Sequence, residues 1–138
     1  MSNNFDVAYA DIDSLLGLKN TKKFREIENA SEELVIEELK DVSRISMRPY
    51  LKELNYKETR DKILDDLTPL LTASIKKYPT LYVLPISDDM NNTSDVLDAN
   101  LIVLDIHMFL IGKQNKFKIL RTVANLSGEF VSQEEINL

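Results

Sequence analysis

The stretch from Thr93 to Gly112, TSDVLDANLIVLDIHMFLIG, constrains this chain more than any other, because it holds the densest apolar run in the sequence. Leu97, Leu101, Leu104, Met108 and Ile111 recur at steps of three and four, the spacing of one helical stripe. Ile102, Ile106 and Phe109 lay a second stripe beside it, so the spacing predicts a helix buried over more than half its girth. Thr93 or Ser94 is placed to cap that helix, Asp95 and Asp98 to face its positive end, and Gly112 to close it in the left-handed conformation. Asp105 and His107 interrupt the run, which falls short of the about 20 apolar residues of a bilayer span. A core helix is expected here, and no membrane partner.

Ahead of it, Phe5 to Leu16 reads as a short helix with Val7 or Ala8, Ile12, Leu15 and Leu16 on one side, closed by Gly17. A long helix should follow from about residue 22 to residue 45, its apolar side set by Phe24, Ile27, Ala30, Leu34, Leu39 and Val42 and widened by Val35 and Ile36. Arg48-Pro49 interrupts it, and Pro49 suits the first turn of a short helix over PYLKEL. Ile63, Leu67, Leu70, Leu71, Ser74 and Tyr78 then keep helical spacing straight through Pro69. Either one helix kinks there, or Thr68 ends one helix and caps a second that begins at Pro69. The second reading is preferred, since Thr-Pro is the expected pair for a cap and first helical position.

Tyr78-Pro79 ends that rod. LYVLPI is rich in strand formers, and Pro85 confines it to an edge strand or an extended connection. SDDMNNTSD is a polar loop. Beyond Gly112, Phe117, Ile119, Arg121 and Val123 alternate with Lys118, Leu120 and Thr122, which favours a strand. Leu126 to Glu129 resembles a hairpin turn, Phe130-Val131 a returning strand, and SQEEINL a tail. The expected fold is mainly α: four to five helices with a small C-terminal β-hairpin or strand element. It forms a single domain over residues 1–138, with a partly flexible tail over residues 126–138.

A length of 138 residues and a 43% apolar fraction suit one folded core without staples. The absence of cysteine removes disulfides and thiolate metal sites. A net charge of −6 argues against nucleic acid as the main partner, and no sequence-specific binding to it is expected. Lys113, Lys116, Lys118 and Arg121 form a close basic cluster and read as a solvated face. MSNNFDVAYAD has neither the basic nor the apolar region of a signal peptide, so a cytoplasmic or virion-interior location is expected.

No residue pattern points to catalysis. His107 is the single histidine, and two helical positions from Asp105 it would point about 200° away, so the pair makes no dyad on a helix. The aspartate pairs at 11/13, 65/66, 88/89 and 95/98 read as solvated carboxylates. Asp88 and Asp89 with Asn91, Asn92 and Asp95 superficially suggest a calcium loop, but the spacing, the glycine and the closing glutamate of such a loop are missing. Tyr78 and Tyr82 could present a patch or form a packing corner. No catalytic, cofactor-binding or metal residues are assigned, and no cofactor is expected. The C-terminal β element carries the partner-binding candidates Phe117, Ile119, Phe130 and Val131, since an open strand edge can add to another sheet.

The order of four stretches resembles the head-to-tail connector (adaptor) proteins of tailed phages. AYADIDSLLGL is similar to their opening helix of tyrosine, acid and Leu-Leu-Gly, and IENASEELVIEEL to the start of their long helix. KKYPTLYVLPI and the aspartate-bearing LDIHMFLIG, taken as a helix, resemble two later motifs of related connector proteins. The resemblance implies a structural virion protein in the neck region, forming a homo-oligomeric ring of about a dozen copies beneath the portal. Its protein partners would be portal and neck or tail proteins. The alternative is a small acidic helical protein that binds and regulates another protein, such as a phage-encoded inhibitor of a host factor. Stoichiometry separates the two.

Overall fold

Val35, Ile36, Leu39, Val42, Ser43, Ser46 and Met47 are buried at helical spacing, and they define the inner side of the first long element. The computed structural model describes residues 21–112 and 115–138, with side chains from residue 32 onward. Helix α1 (Thr21–Met47) matches the long helix expected from the sequence, except that Leu34, expected on its apolar side, faces out at 59% exposure. It gives way to a 3-10 turn at Arg48–Tyr50, with Pro49 in its first positions. Helix α2 (Lys57–Lys77) buries Thr59, Arg60, Ile63, Leu67, Leu71 and Ser74 along one side. The expected break at Pro69 is absent, for α2 runs through it. Pro69 and Asp65 are both exposed, so the carbonyl that the missing N–H would have bonded faces water. The short helix expected over Phe5–Leu16 lies outside the described residues.

The helices form an antiparallel pair tied at Glu38. Its carboxylate accepts hydrogen bonds from Ser74 Oγ at 2.6 Å, Lys77 Nζ at 2.7 Å and Tyr78 Oη at 3.4 Å. Burial acts to raise the Glu38 pKa, but the hydrogen bonds from Lys77 and Ser74 and the Lys77 charge outweigh it and hold the carboxyl below its usual range.

A four-stranded antiparallel meander packs against this pair: β1 (Leu81–Ile86), β2 (Leu101–Leu110), β3 (Lys116–Asn125) and β4 (Phe130–Asn137), in that spatial order. A five-residue helix α3 (Ser94–Asp98) precedes β2. The fold is thus mixed α/β with a helical layer on a sheet, and the expectation of a mainly α domain is corrected. The error lies in the central apolar run. Its residues were expected to form a core helix, yet Leu101–Leu110 is β2. A run apolar at nearly every position satisfies both periods. Ile102, Leu104, Ile106, Met108 and Leu110 alternate while Leu101, Leu104 and Met108 recur at three and four, and a strand paired on both edges needs no regular polar side. The local break is Asn100, at φ 56°, which stops α3 in a left-handed turn that asparagine tolerates. The stretch LDIHMFLIG, expected to be helical, lies in β2 up to Leu110.

β1 is an edge strand with Pro85 in it, in keeping with the sequence reading. The strand over residues 117–123 and the returning strand were also expected. Ser132 to Asn137, read as a tail, continue β4. The β3–β4 turn is organised by Asn125, whose Oδ1 accepts from Ser127 N at 3.2 Å, Ser127 Oγ at 2.8 Å and Glu129 N at 3.0 Å. Gly128 sits at φ 107°, where a side chain would be strained. A register shift near Val123 and Ala124 places Ser132 and Phe130 opposite them and leaves Val131 as the extra residue of a bulge.

The core lies between helices and sheet. Leu39, Met47, Leu51, Ile63 and Leu67 meet Leu81, Ile102, Leu104, Ile106, Met108 and Leu120, all buried. Polar contacts fasten the rim. Glu135 accepts from Lys40 and Lys118, each at 3.2 Å, and Lys118 lies 3.6 Å from Glu32. Gln133 donates to the Lys40 carbonyl at 3.0 Å and to Thr122 Oγ1 at 2.9 Å, and accepts from Arg44.

Candidate partner-binding face

Strand pairing brings onto one surface the residues that alternate away from the helices. Leu84 stands opposite His107, His107 opposite Ile119, and Ile119 opposite Ile136. The neighbouring row is Tyr82, Phe109 and Phe117. These side chains occupy the sheet face that points away from α1 and α2. Leu84 is 59% exposed, Phe117 48% and Tyr82 44%, while His107, Phe109, Ile119 and Ile136 are half-buried. The Phe109 and Phe117 rings meet at 5.8 Å between centroids with a 55° tilt.

A polar row bounds this patch. Arg121 donates to both oxygens of Asp105, Nε at 2.8 Å and Nη2 at 2.9 Å, and Asn91 Nδ2 reaches Asp105 Oδ2 at 3.2 Å. The Asp105 hydrogen bonds raise the Arg121 pKa above its usual value, against the opposing effect of burial. Asp105 and His107 share a face, contrary to the helical expectation, because two residues apart on a strand means the same side. The Asp105 oxygens are nevertheless occupied by Arg121 and Asn91, so the geometry builds no acid–histidine pair.

Beyond that row the loop after β1 takes over. Asn92 is buried and makes the bonds a neighbouring strand would make: Val103 N donates to its Oδ1 at 2.8 Å, and its Nδ2 donates to the Val103 carbonyl at 3.0 Å. Its Oδ1 also accepts from Asn55 Nδ2 at 3.0 Å. Arg60, itself buried, donates to Asn55 Oδ1 at 2.7 Å and to Asp89 at 2.8 Å, and its Nε has no partner. Asp88 accepts from Met90 N at 2.9 Å, and Asn91 from Asp88 N at 2.9 Å. Asp88, Asn91 and Asn92 are thus spent on closing the loop itself, Asp89 pairs with Arg60, and Asp95 lies on α3. Among the described residues no three histidine, aspartate or glutamate side chains converge as metal ligands.

The four partner-binding candidates separate. Phe117 and Ile119 lie on the open face, with Tyr82, Leu84, His107, Phe109 and Ile136, which strand residues hidden in the sequence reading supply. Phe130 turns to the other side, where it packs against the core under the Arg48 guanidinium at 5.4 Å. Val131 is 57% exposed at the bulge. The basic cluster separates too: Lys118 faces the helices, Arg121 faces the open side, and Lys113 lies outside the described residues. Tyr78 is half-buried beside Glu38 and packs against the core. The signal for the missed residues was alternation in LYVLPI and LIVLDIHMFL, which the helical reading overrode.

No protein-family model matches the chain, and no curated protein or solved structure matches it either. Among the described residues no helix is long and apolar enough to cross a membrane.

Proposed function

We propose that this chain is a non-catalytic protein-binding module that presents the open face of its sheet to a protein partner. One observation carries the reading: an apolar and aromatic surface, continuous across all four strands, that no described element covers. Sheets in two-layer folds commonly leave a polar outer face, and a clustered apolar one marks an interaction site. Charge supports it. The molecule is acidic at −6, yet Asp105, Arg121 and Glu134 are the three charged strand residues on this face, and two of them neutralise each other. The connector role implied by the sequence resemblance is one form of such a module, in which the partner is a portal or neck protein and many copies assemble.

The test is affinity capture from the native source with the tagged chain, identification of what is retained and measurement of the complex mass. Leu84→Lys with Ile119→Lys should abolish capture, whereas Leu34→Lys, on the exposed outer side of α1, should not. Retention by the sheet variant together with loss in the helix variant would move the site elsewhere. A complex many times the chain's 15.8 kDa would favour a ring, and a simple one-to-one mass the regulator.

A further inference from the structure

We infer that β4 is a docking edge for an extended segment of a partner protein, paired antiparallel with it and carrying an arginine or lysine opposite Glu134. The pairing stands on the backbone of β4 and is separate from the open-face reading above, since Leu84 and β1 take no part in it.

The ladder fixes which groups are available. Leu138 N donates to the Phe117 carbonyl at 3.4 Å, and Asn125 N to the Glu129 carbonyl at 2.8 Å. The bonds between β3 and β4 therefore fall on the odd-numbered residues of β3 and, across from them, on Ser132, Glu134 and Ile136. Gln133, Glu135 and Asn137 turn their N–H and C=O groups the other way, and no described residue bonds them. The opposite edge differs. Ile111 N donates to the Thr80 carbonyl at 3.1 Å, so Leu81, Val83 and Pro85 point outward from β1. The Tyr78 carbonyl takes the Leu81 N–H at 2.9 Å, and Pro85 has none, which blunts that edge. β4 offers an alternating run of outward groups, the template for an added strand.

Charge selects the occupant. Glu134 is exposed on the open side of β4, and Arg121 opposite it gives its guanidinium to Asp105. Among the described residues no ion pair reaches Glu134. On the helix side Lys40 links Glu135 at 3.2 Å to Glu37 at 3.8 Å, and Arg44 links Gln133 to Asp41. Two further exposed carboxylates thus lie one basic side chain away from β4. A basic residue opposite Glu134 and an aliphatic one opposite half-buried Ile136 complete the cross-strand pairs. A second copy does not. Every antiparallel self-pairing through Gln133, Glu135 and Asn137 sets Glu134 or Glu135 against its own copy, directly or on the adjacent diagonal. The −6 charge of each chain adds to that repulsion.

The probe is the end-blocked peptide Thr-Val-Thr-Arg-Thr-Val-Thr, titrated to millimolar concentration into the isotope-labelled full chain. It should shift the amide signals of Gln133, Glu135 and Asn137 and slow their hydrogen exchange. N-methylation of its third and fifth residues, whose N–H groups would bond β4, should abolish the effect. N-methylation of the second and sixth, which would face away, should not. Glutamate in place of its arginine should weaken binding by about fivefold, and Glu134→Lys should erase that preference. The parent peptide should also weaken partner capture. Shifts that are absent, that fall on β1, or that survive methylation at the third and fifth residues overturn the proposal. So do an arginine preference that survives Glu134→Lys and a captured partner indifferent to saturating peptide. Protection of the same amides that rises with protein concentration without peptide would assign the edge to a second copy, and overturns it too. Leu84→Lys should bind the peptide as the parent chain does, so loss of partner capture in that variant bears on the open face alone.

Discussion

Asn92 is the residue on which the loop after β1 turns, because one side chain replaces a strand. Its amide satisfies both backbone groups of Val103 and bonds Asn55, all in a buried setting. Asn92→Ala would leave the Val103 N–H without a partner, while the Val103 carbonyl keeps Ser87 Oγ and Asn55 keeps the Leu101 carbonyl, at a cost of about 1–3 kcal/mol, read as a lower urea midpoint with unchanged slope. Asn92→Asp should cost a similar amount, since a carboxylate cannot donate to the Val103 carbonyl. Glu38 sets an acid limit. Its folded pKa lies below the usual glutamate value, so its stabilising contribution is complete above that usual value and is lost as pH falls through the folded one. The difference in urea midpoint between the parent chain and Glu38→Gln should be present at pH 7 and shrink as pH falls below the usual glutamate range. Glu135, lowered by hydrogen bonds from Lys118 and Lys40 in spite of burial, adds to the same acid loss.

At the level of elements, α2 shows tertiary packing overriding a local breaker. Ile63, Leu67 and Leu71 are buried on one side, and that continuous stripe keeps the helix whole through Pro69. The proline sits on the exposed side, so its cost falls on one solvated carbonyl rather than on the core. Pro69→Ala should therefore stabilise the chain by about 1–3 kcal/mol, seen as a raised thermal midpoint. A lowered midpoint would mean that the packing of α2 on α1 depends on the proline's backbone geometry. The contrast with β2 is instructive. In α2 the polar residues between the apolar ones exclude a strand, and the element was legible. In LIVLDIHMFL few polar residues remain to mark either period, and β-branched Ile102, Val103 and Ile106 were the surviving hint.

The whole molecule divides its apolar residues between a core and an open face, and substitution separates the two. Ile106→Ala, in the core at 0% exposure, should cost about 2–5 kcal/mol. Leu84→Lys with Ile119→Lys, on the open face, should change stability far less while removing partner capture, as judged by chemical denaturation and binding side by side. The residues of the chain determined several things unaided: the extent of α1, the edge position of LYVLPI, the strand at 117–123 and its turn, and the acidic, cysteine-free chemistry. Each is set by short-range causes such as helical spacing between charged positions, a proline without an N–H, or strict alternation. Tertiary structure alone decided the state of Leu101–Leu110, for a continuous apolar run takes the period of whatever surrounds it, and here hydrogen bonds from β1 and β3 on both edges made it a strand. The same pairing decided the candidate site. Leu84, His107, Ile119 and Ile136 are far apart in sequence and become neighbours through strand register, while Phe130 is turned to the opposite face at the Val131 bulge, a one-residue change that no local pattern announces.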